Sequence, residues 1–286
     1  GGVIGLLLLT FAIGAASHGS QRWISIGPFS LQPSELAKIG IILFLAAYIS
    51  SKSREMRQWK KMVIPFLFAI PISVIVGIEN LSTCIILLAI SFIMIFVATP
   101  LLVPFVVIGL IGVAGAGGLL LTQGYRMERI TVWLDPAASE KGHQTIQGLY
   151  AIGSGGLFGK GLGQRMQKLG FLPEANNDMI FSVICEELGL FGALCVLALF
   201  FALIWRFMVI AVNAPDLYGS MIVVGVIAHI GIQVFINIAV ATNTIPNTGI
   251  PLPFISYGGS SLVFMLLEMG LVLSVSADDI VAVEEK

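Results

Sequence analysis

Charge is scarce in this sequence. Lysine, arginine, aspartate and glutamate make up 11% of 286 residues, 15 basic against 16 acidic, for a net charge of -1. A soluble domain carries roughly twice that charged fraction, and so even a balance gives no electrostatic footprint for nucleic acid. No nucleic-acid partner is expected. Cysteine is equally sparse. Cys84, Cys185 and Cys195 lie in or beside apolar runs without a CxxC neighbour, which argues against a thiol redox pair or thiolate metal site and for three small buried hydrophobes. His18, His143 and His229 lack HExxH or comparable spacing, so no protein-only zinc site is expected. No basic n-region stands ahead of the first apolar segment in these residues. The chain opens Gly1-Gly2 and runs straight into an apolar segment, which is not a signal peptide, and further chain is expected ahead of residue 1.

What is present is apolar. Hydrophobic residues are 57% of the chain, the mean hydropathy is +0.98, and the runs are long enough for a hydrocarbon core of about 30 Å, which takes about 20 helical residues. Eight such segments stand out: 1–17, 34–50, 62–77, 81–98, 101–121, 180–209, 218–241 and 258–277. Ile41 to Leu45 and Met221 to Val226 are apolar on every side, unlike the weak alternation of a membrane barrel. The 32 glycines, many inside these runs, suit close helix packing in lipid. The expected fold is an all-α, polytopic transmembrane helical bundle forming a single membrane domain. Very short connections around Ile78 to Asn80 and Thr99-Pro100 imply tight hairpins.

Orientation follows from the connection 51–61, where Lys52, Arg54, Arg57, Lys60 and Lys61 face one acid, Glu55; short basic loops stay cytoplasmic. Counting crossings puts 18–33, 122–179 and 242–257 outside. The long connection 122–179 carries Arg126, Arg129, Lys141, Lys160, Arg165 and Lys168 with Glu128, Asp135, Glu140, Glu174 and Asp178. A loop of that length in a compact domain is expected to be functional. Within it QTIQGLYAIGSG, from Gln144, reads as a short amphipathic helix ending in glycine.

Three stretches could carry chemistry. In RWISIGPFSLQPSELAK, from Arg22, Pro33 suits a first helical turn and Gln32 or Ser34 its cap. Glu35 and Lys38 then fall on one face of the opening turns, where an ionisable pair is either a mutual salt bridge or faces a ligand. In FLPEANNDMIFSVICEELGLFG, from Phe171, Glu174, Asn176 and Asn177 lead to Asp178, expected to cap the next membrane helix. Glu186 and Glu187 lie two turns deeper, an unusual depth for adjacent carboxyls. In NTIPNTGIPLPFISYGGSS, from Asn243, three prolines, a Gly-Gly pair and clustered hydroxyls make a rigid, donor-rich outer loop. The amides of Gly258 to Ser261 would suit a phosphate.

These stretches, with GHQTIQGLYAIGSGGLFGKGLG between them, resemble the SEDS family, the bacterial FtsW/RodA/SpoVE membrane proteins of cell shape, division and sporulation. The resemblance covers nearly the whole chain, and its eight segments would match the third to the tenth of the family's helices. It implies a peptidoglycan glycosyltransferase of the bacterial inner membrane that polymerises lipid II by inverting β-1,4 transfer and releases polyprenyl pyrophosphate. It also implies a class B penicillin-binding protein as partner, besides lipid II, the growing lipid-linked glycan and membrane lipids. By motif, Asp178 takes the essential aspartate position and serves as candidate base. Glu35 and Lys38 match the polar pair of QPSELxK, and Ser256, Ser260 and Ser261 belong to SYGGSS. Arg22, Glu174 and Asn177 complete the substrate-binding candidates, with Glu186, Glu187 and Asn80 in support. Lys38, Arg22 or a divalent cation, Mg or Mn, would neutralise the leaving pyrophosphate. Two departures stand out: Asn176 replaces a histidine common in relatives, and Asn80 an aspartate. The alternatives are a lipid II flippase, against which the almost wholly apolar cytoplasmic halves count, and a non-catalytic scaffold.

Overall fold

The computed structural model describes residues 15–17, 20–26, 29–99, 105–107, 109–110, 124–139, 142–163 and 177–284. Six helices among them are long and apolar enough to span a membrane, over Pro33–Ser51, Trp59–Ile78, Leu81–Ala98, Ile180–Asn213, Leu217–Ala241 and Gly259–Ala277. The helical membrane bundle is therefore as expected. The span expected at 101–121 lies largely outside the described residues, as do residues 1–14 of the first.

The chain divides into two compact units, Gly1–Phe105 with Ile204–Ile232 and Gly258–Lys286, and Val106–Leu203 with Gln233–Tyr257. The first unit opens with a three-stranded antiparallel sheet, β1 (Ala15–Ser17), β2 (Ser20–Ile26) and β3 (Phe29–Leu31). Ala15 pairs with Trp23 and Ile24 with Leu31, so the last three residues of the segment expected at 1–17 belong to a strand. The sheet was not expected: its seven-residue middle strand mixes SQRWISI without clean alternation.

Helix α1 (Pro33–Ser51) starts where Pro33 supplies a preset φ at the first position and Gln32 occupies the cap without a side-chain bond. A basic turn follows, in which Glu55 meets Lys52 at 3.1 Å and Lys61 at 3.0 Å. Lys61 first, then Lys52, holds this exposed carboxyl below its usual range. Helices α2 (Trp59–Glu79) and α3 (Leu81–Ala98) form a hairpin joined by Asn80 alone. The Asn80 amide closes α2 on the Val76 carbonyl, while its side chain accepts from the Thr83 amide at 3.2 Å to open α3. Cys84 packs against Gly77 in that hairpin; it and Cys185 are buried as expected, whereas Cys195 is exposed, on a face of its membrane helix that the protein itself does not cover.

In the second unit, α4 (Gly124–Leu134) and α5 (His143–Gly155) belong to the long connection. Helix α5 ends at Gly156 with φ +57°, the glycine stop its sequence announced. Helix α6 (Ile180–Asn213) is broken at Gly189, whose φ is +69°. The loop after α5 fills the break. Lys160 and Gly161 amides donate to the Glu186 and Glu187 carbonyls, while the Leu190 and Phe191 amides donate to Gly156 and Leu157. A broken membrane helix must find outside partners for the groups it frees, and these four bonds supply them. Gly189 is required twice over, by its positive φ and because a Cβ there would stand 2.4 Å from the Gly159 nitrogen. Helices α7 (Leu217–Ala241) and α8 (Gly259–Glu284) complete the described chain. His229 on α7 and Glu268 on α8 form a fully buried pair at 2.8 Å within the first unit, a polar feature that a search for motif residues passes over.

Candidate active site

The second unit holds a cavity of about 420 Å³ lined by Glu128, Arg129, Val132, Trp133, Gln144, Thr145, Asp178, Asn243, Asn247 and Gly249. Its residues come from sequence regions far apart, and each is placed by a local cause. On α4 the spacing 128, 129, 132, 133 gathers one helix face toward the cavity. That helix is tied to the outer loop by two crossed bonds. Trp133 Nε1 donates to the Asn243 carbonyl at 3.0 Å and Arg129 Nη1 to the Asn247 carbonyl at 3.1 Å. Asn243 itself sits at φ 54°, the left-handed conformation that asparagine tolerates better than most residues, and so lets the chain leave α7 sharply.

Asp178 is buried at 8% exposure, and its backbone is pinned from several sides. Asn237, on α7, donates to the Asp178 carbonyl at 2.8 Å and to the Ile250 carbonyl at 2.9 Å. Ser256 donates to the Asn177 carbonyl at 2.6 Å and accepts from the Leu252 amide at 2.7 Å. Met179, next in the chain, is packed with Val183 and Val240 against Ile180, Ile236 and Ile245. The carboxylate receives Gln144 Nε2 from the first turn of α5, at 3.3 Å to Oδ1 and 3.5 Å to Oδ2. One expectation is corrected. The sequence pattern makes Asp178 the helix cap, but the Met179 carbonyl accepts the first amide bonds, from Ser182 and Val183, and α6 starts at Ile180. Asp178 stands one residue before the cap, and its side chain lines the cavity.

The other sequence candidates fall in several places. Ser256 and Asn177 join the Asp178 turn through the bond just described. Glu186 is fully buried and meets Lys160 Nζ at 3.1 Å, so it braces the helix break, and half-buried Glu187 flanks it. In the first unit, Glu35 and Lys38 form a buried ion pair at 2.8 Å in the opening turns of α1, with Glu35 Oε2 left buried without a partner. Arg22 lies in β2. Ser260 and Ser261 lie in the first turn of α8, and Ser260 Oγ is buried without a partner. Asn80 is a helix cap. Glu174 lies outside the described residues.

Gln144, Asn237, Asn247 and Trp133 are the residues that sequence reasoning did not single out. A signal for one was available: Asn237 follows His229 and Gln233 as a polar residue in a largely apolar run, and an amide in a membrane helix marks either packing or function. Gln144, Asn247 and Trp133 carried none, because their importance lies in loops meeting across more than 100 residues.

The family profile FtsW/RodA/SpoVE, described as cell cycle protein, matches residues 1–280. Stage V sporulation protein E of Bacillus subtilis (strain 168) is 46% identical over 277 residues, covering 95% of this chain and 75% of that protein. A Geobacter sp. (strain M18) protein named "Probable peptidoglycan glycosyltransferase FtsW" is 37% identical over 281 residues, covering 96% and 77%. Among solved structures, a chain from a peptidoglycan synthase complex that coordinates polymerization and crosslinking superposes with a TM-score of 0.81 at 29% identity, covering 97% of this chain and 79% of that one. The rod shape determining protein RodA of Thermus thermophilus gives a TM-score of 0.69 at 29% identity, over 97% and 76%.

Proposed function

This chain belongs to the FtsW/RodA/SpoVE family, and from that premise we propose that it is a peptidoglycan glycosyltransferase that polymerises lipid II. It is a multi-pass protein of the bacterial inner membrane, with the Asp178 cavity facing the extracytoplasmic side, where the connections 122–179 and 242–257 are placed by the basic turn 51–61. The observation that carries the reading is Asp178 itself: a buried carboxylate at the motif's aspartate position, pinned by its neighbours and lining a cavity.

The reaction joins the 4-hydroxyl of an acceptor sugar to the anomeric carbon of a donor. The new C–O bond forms as the bond to polyprenyl pyrophosphate breaks, in one in-line displacement that inverts the α-linked donor to a β-1,4 product. The acceptor proton passes to Asp178. An ionised aspartate is a weak base for an alcohol, so the transfer occurs late, as the bond forms. Positive charge is needed where the pyrophosphate departs. Arg129 brings a cation to the cavity wall, and Lys38 and Arg22 remain candidates from the motif. Glu128, the other carboxylate of the cavity wall, would hold a Mg or Mn ion that draws most of its ligands from a substrate pyrophosphate. Such an ion would supply charge to the leaving group.

The likeness to a chain of a synthase complex that couples polymerization with crosslinking supports a crosslinking partner, and a single-pass class B penicillin-binding protein is the partner we propose. The test is a gel assay of glycan product from purified lipid II, comparing wild type plus its co-purified partner with Asp178→Ala in the same complex. Polymer from the first and none from the second, with both complexes intact, is the expected result. Equal polymer from both would overturn the base assignment. Lipid II crossing vesicles without polymer would make the protein a flippase, and neither polymer nor transport would make it a scaffold.

A further inference from the structure

The amide touching Asp178 belongs to a chain of hydrogen bonds with only one possible direction. It starts at the Gly249 backbone amide, which can only donate, and which bonds Asn247 Oδ1 at 2.9 Å. That fixes the orientation of the Asn247 side chain, so the end reaching Gln144 is Nδ2, at 3.3 Å from Gln144 Oε1. Gln144 is fixed in turn, and its Nε2 is the end presented to both oxygens of Asp178. Amide side chains are ordinarily ambiguous by half a turn, but a backbone N–H at the head of the chain removes the ambiguity. Arg129 anchors the same relay by donating to the Asn247 carbonyl, and the outer loop is free to place Gly249 because its φ of +69° suits glycine.

We infer that Gln144 is the positioning residue of the active site, holding Asp178 ionised and setting the plane of its carboxylate through the relay Gly249, Asn247, Gln144. The relay has no state in which Gln144 accepts a proton from Asp178 while every bond is kept. A hydrogen bond donated to a carboxylate favours its charged form, so the arrangement keeps the base empty until substrate arrives. It also makes catalysis report on loop order. Asn247 and Gly249 belong to the outer loop, and displacement of that loop releases the amide from Asp178. The inference rests on the assignment of Asp178 as base.

The experiment measures pH–rate profiles of lipid II polymerisation for the complex with its partner, comparing wild type, Gln144→Ala, Gln144→Glu and Asn247→Ala, with thermal unfolding of each. Gln144→Ala is expected to lower kcat ten- to a hundredfold, in the range for a misplaced catalytic group, and to move the acid limb up by about one pH unit, since a carboxylate deprived of a donor ionises at higher pH. Gln144→Glu sets a second carboxylate against the first and is expected to move the limb further in the same direction. Asn247→Ala frees the amide to rotate and is expected to give a smaller shift of the same sign. A merely structural Gln144 would lower the folded fraction without moving the limb. Folded Gln144→Ala with wild-type kcat and an unmoved limb would overturn the inference while leaving Asp178 as base. Undiminished polymer from Asp178→Ala would instead remove the reading on which the inference stands.

Discussion

Two buried carboxylates of this protein are treated in opposite ways. Glu35 is met at 2.8 Å by Lys38 from the same helix face, and both are almost wholly buried. Asp178 is met by the neutral amide of Gln144, from a different helix, at the edge of a cavity. A hydrogen-bonded ammonium offsets the cost of burying the charge by neutralising the carboxylate that it holds. An amide orients the charge and leaves a carboxylate able to take a proton. The first unit holds a second buried carboxylate by a hydrogen bond, with the His229 ring 2.8 Å from Glu268. The difference teaches which acids a membrane protein uses to hold itself together and which it sets aside for chemistry.

The largest expected effect comes from breaking the closed pair. Lys38→Met leaves Glu35 buried and uncompensated, which costs about 3–5 kcal/mol, seen as a marked fall in Tm in detergent. The double variant Glu35→Leu with Lys38→Met removes both charges and is expected to recover most of that stability. Polymerisation by the stable double variant decides the role of the pair: activity near wild type makes it purely structural, while a stable, inactive protein makes Lys38 or Glu35 a substrate contact, as the motif implies.

How far the sequence could be read follows the same division. The spanning helices were legible because apolar length and scarce charge are one-dimensional properties, and α1, α3 and α7 fall within a residue or so of the segments at 34–50, 81–98 and 218–241. The pairing of Glu35 with Lys38 was legible as one of two readings, since residues three apart on a helix meet. The break at Gly189 was not, because its cause is a loop about thirty residues upstream whose amides fill the gap. The surroundings of Asp178 were hidden for the same reason: Gln144, Asn237 and Asn247 meet it through the tertiary fold and carry no charge to draw attention.

A smaller effect is expected at that break. Gly189→Ala puts a Cβ into a backbone with φ +69° and against the Gly159 nitrogen. A residue held in such a conformation costs of order 1–3 kcal/mol, and the collision adds to it. The turn carrying Asp178 leads directly into the short helical stretch that this brace supports, whereas the Glu35–Lys38 pair has its own helix. Gly189→Ala is therefore expected to open the 156–163 loop to proteolysis and to reduce polymerisation, in proportion to the loss of the brace. Intact protection of the loop would show that the break tolerates a side chain.

The smallest effect separates a charge that is needed from one that is not. Asn80 stands where the family pattern that the sequence resembles has aspartate, and its side chain accepts from the Thr83 amide at the start of α3. Asparagine and aspartate cap a helix about equally well, and alanine in their place costs about 1 kcal/mol. Asn80→Asp is therefore expected to leave Tm and polymerisation essentially unchanged, while Asn80→Ala lowers Tm slightly with little effect on activity. The same amide-for-acid exchange at Asp178, as Asp178→Asn, preserves shape and removes the base, and is expected to abolish polymer at unchanged Tm. Equal tolerance at both positions would place Asp178 with the caps, and equal intolerance would give the start of α3 a chemical role that its geometry alone does not require.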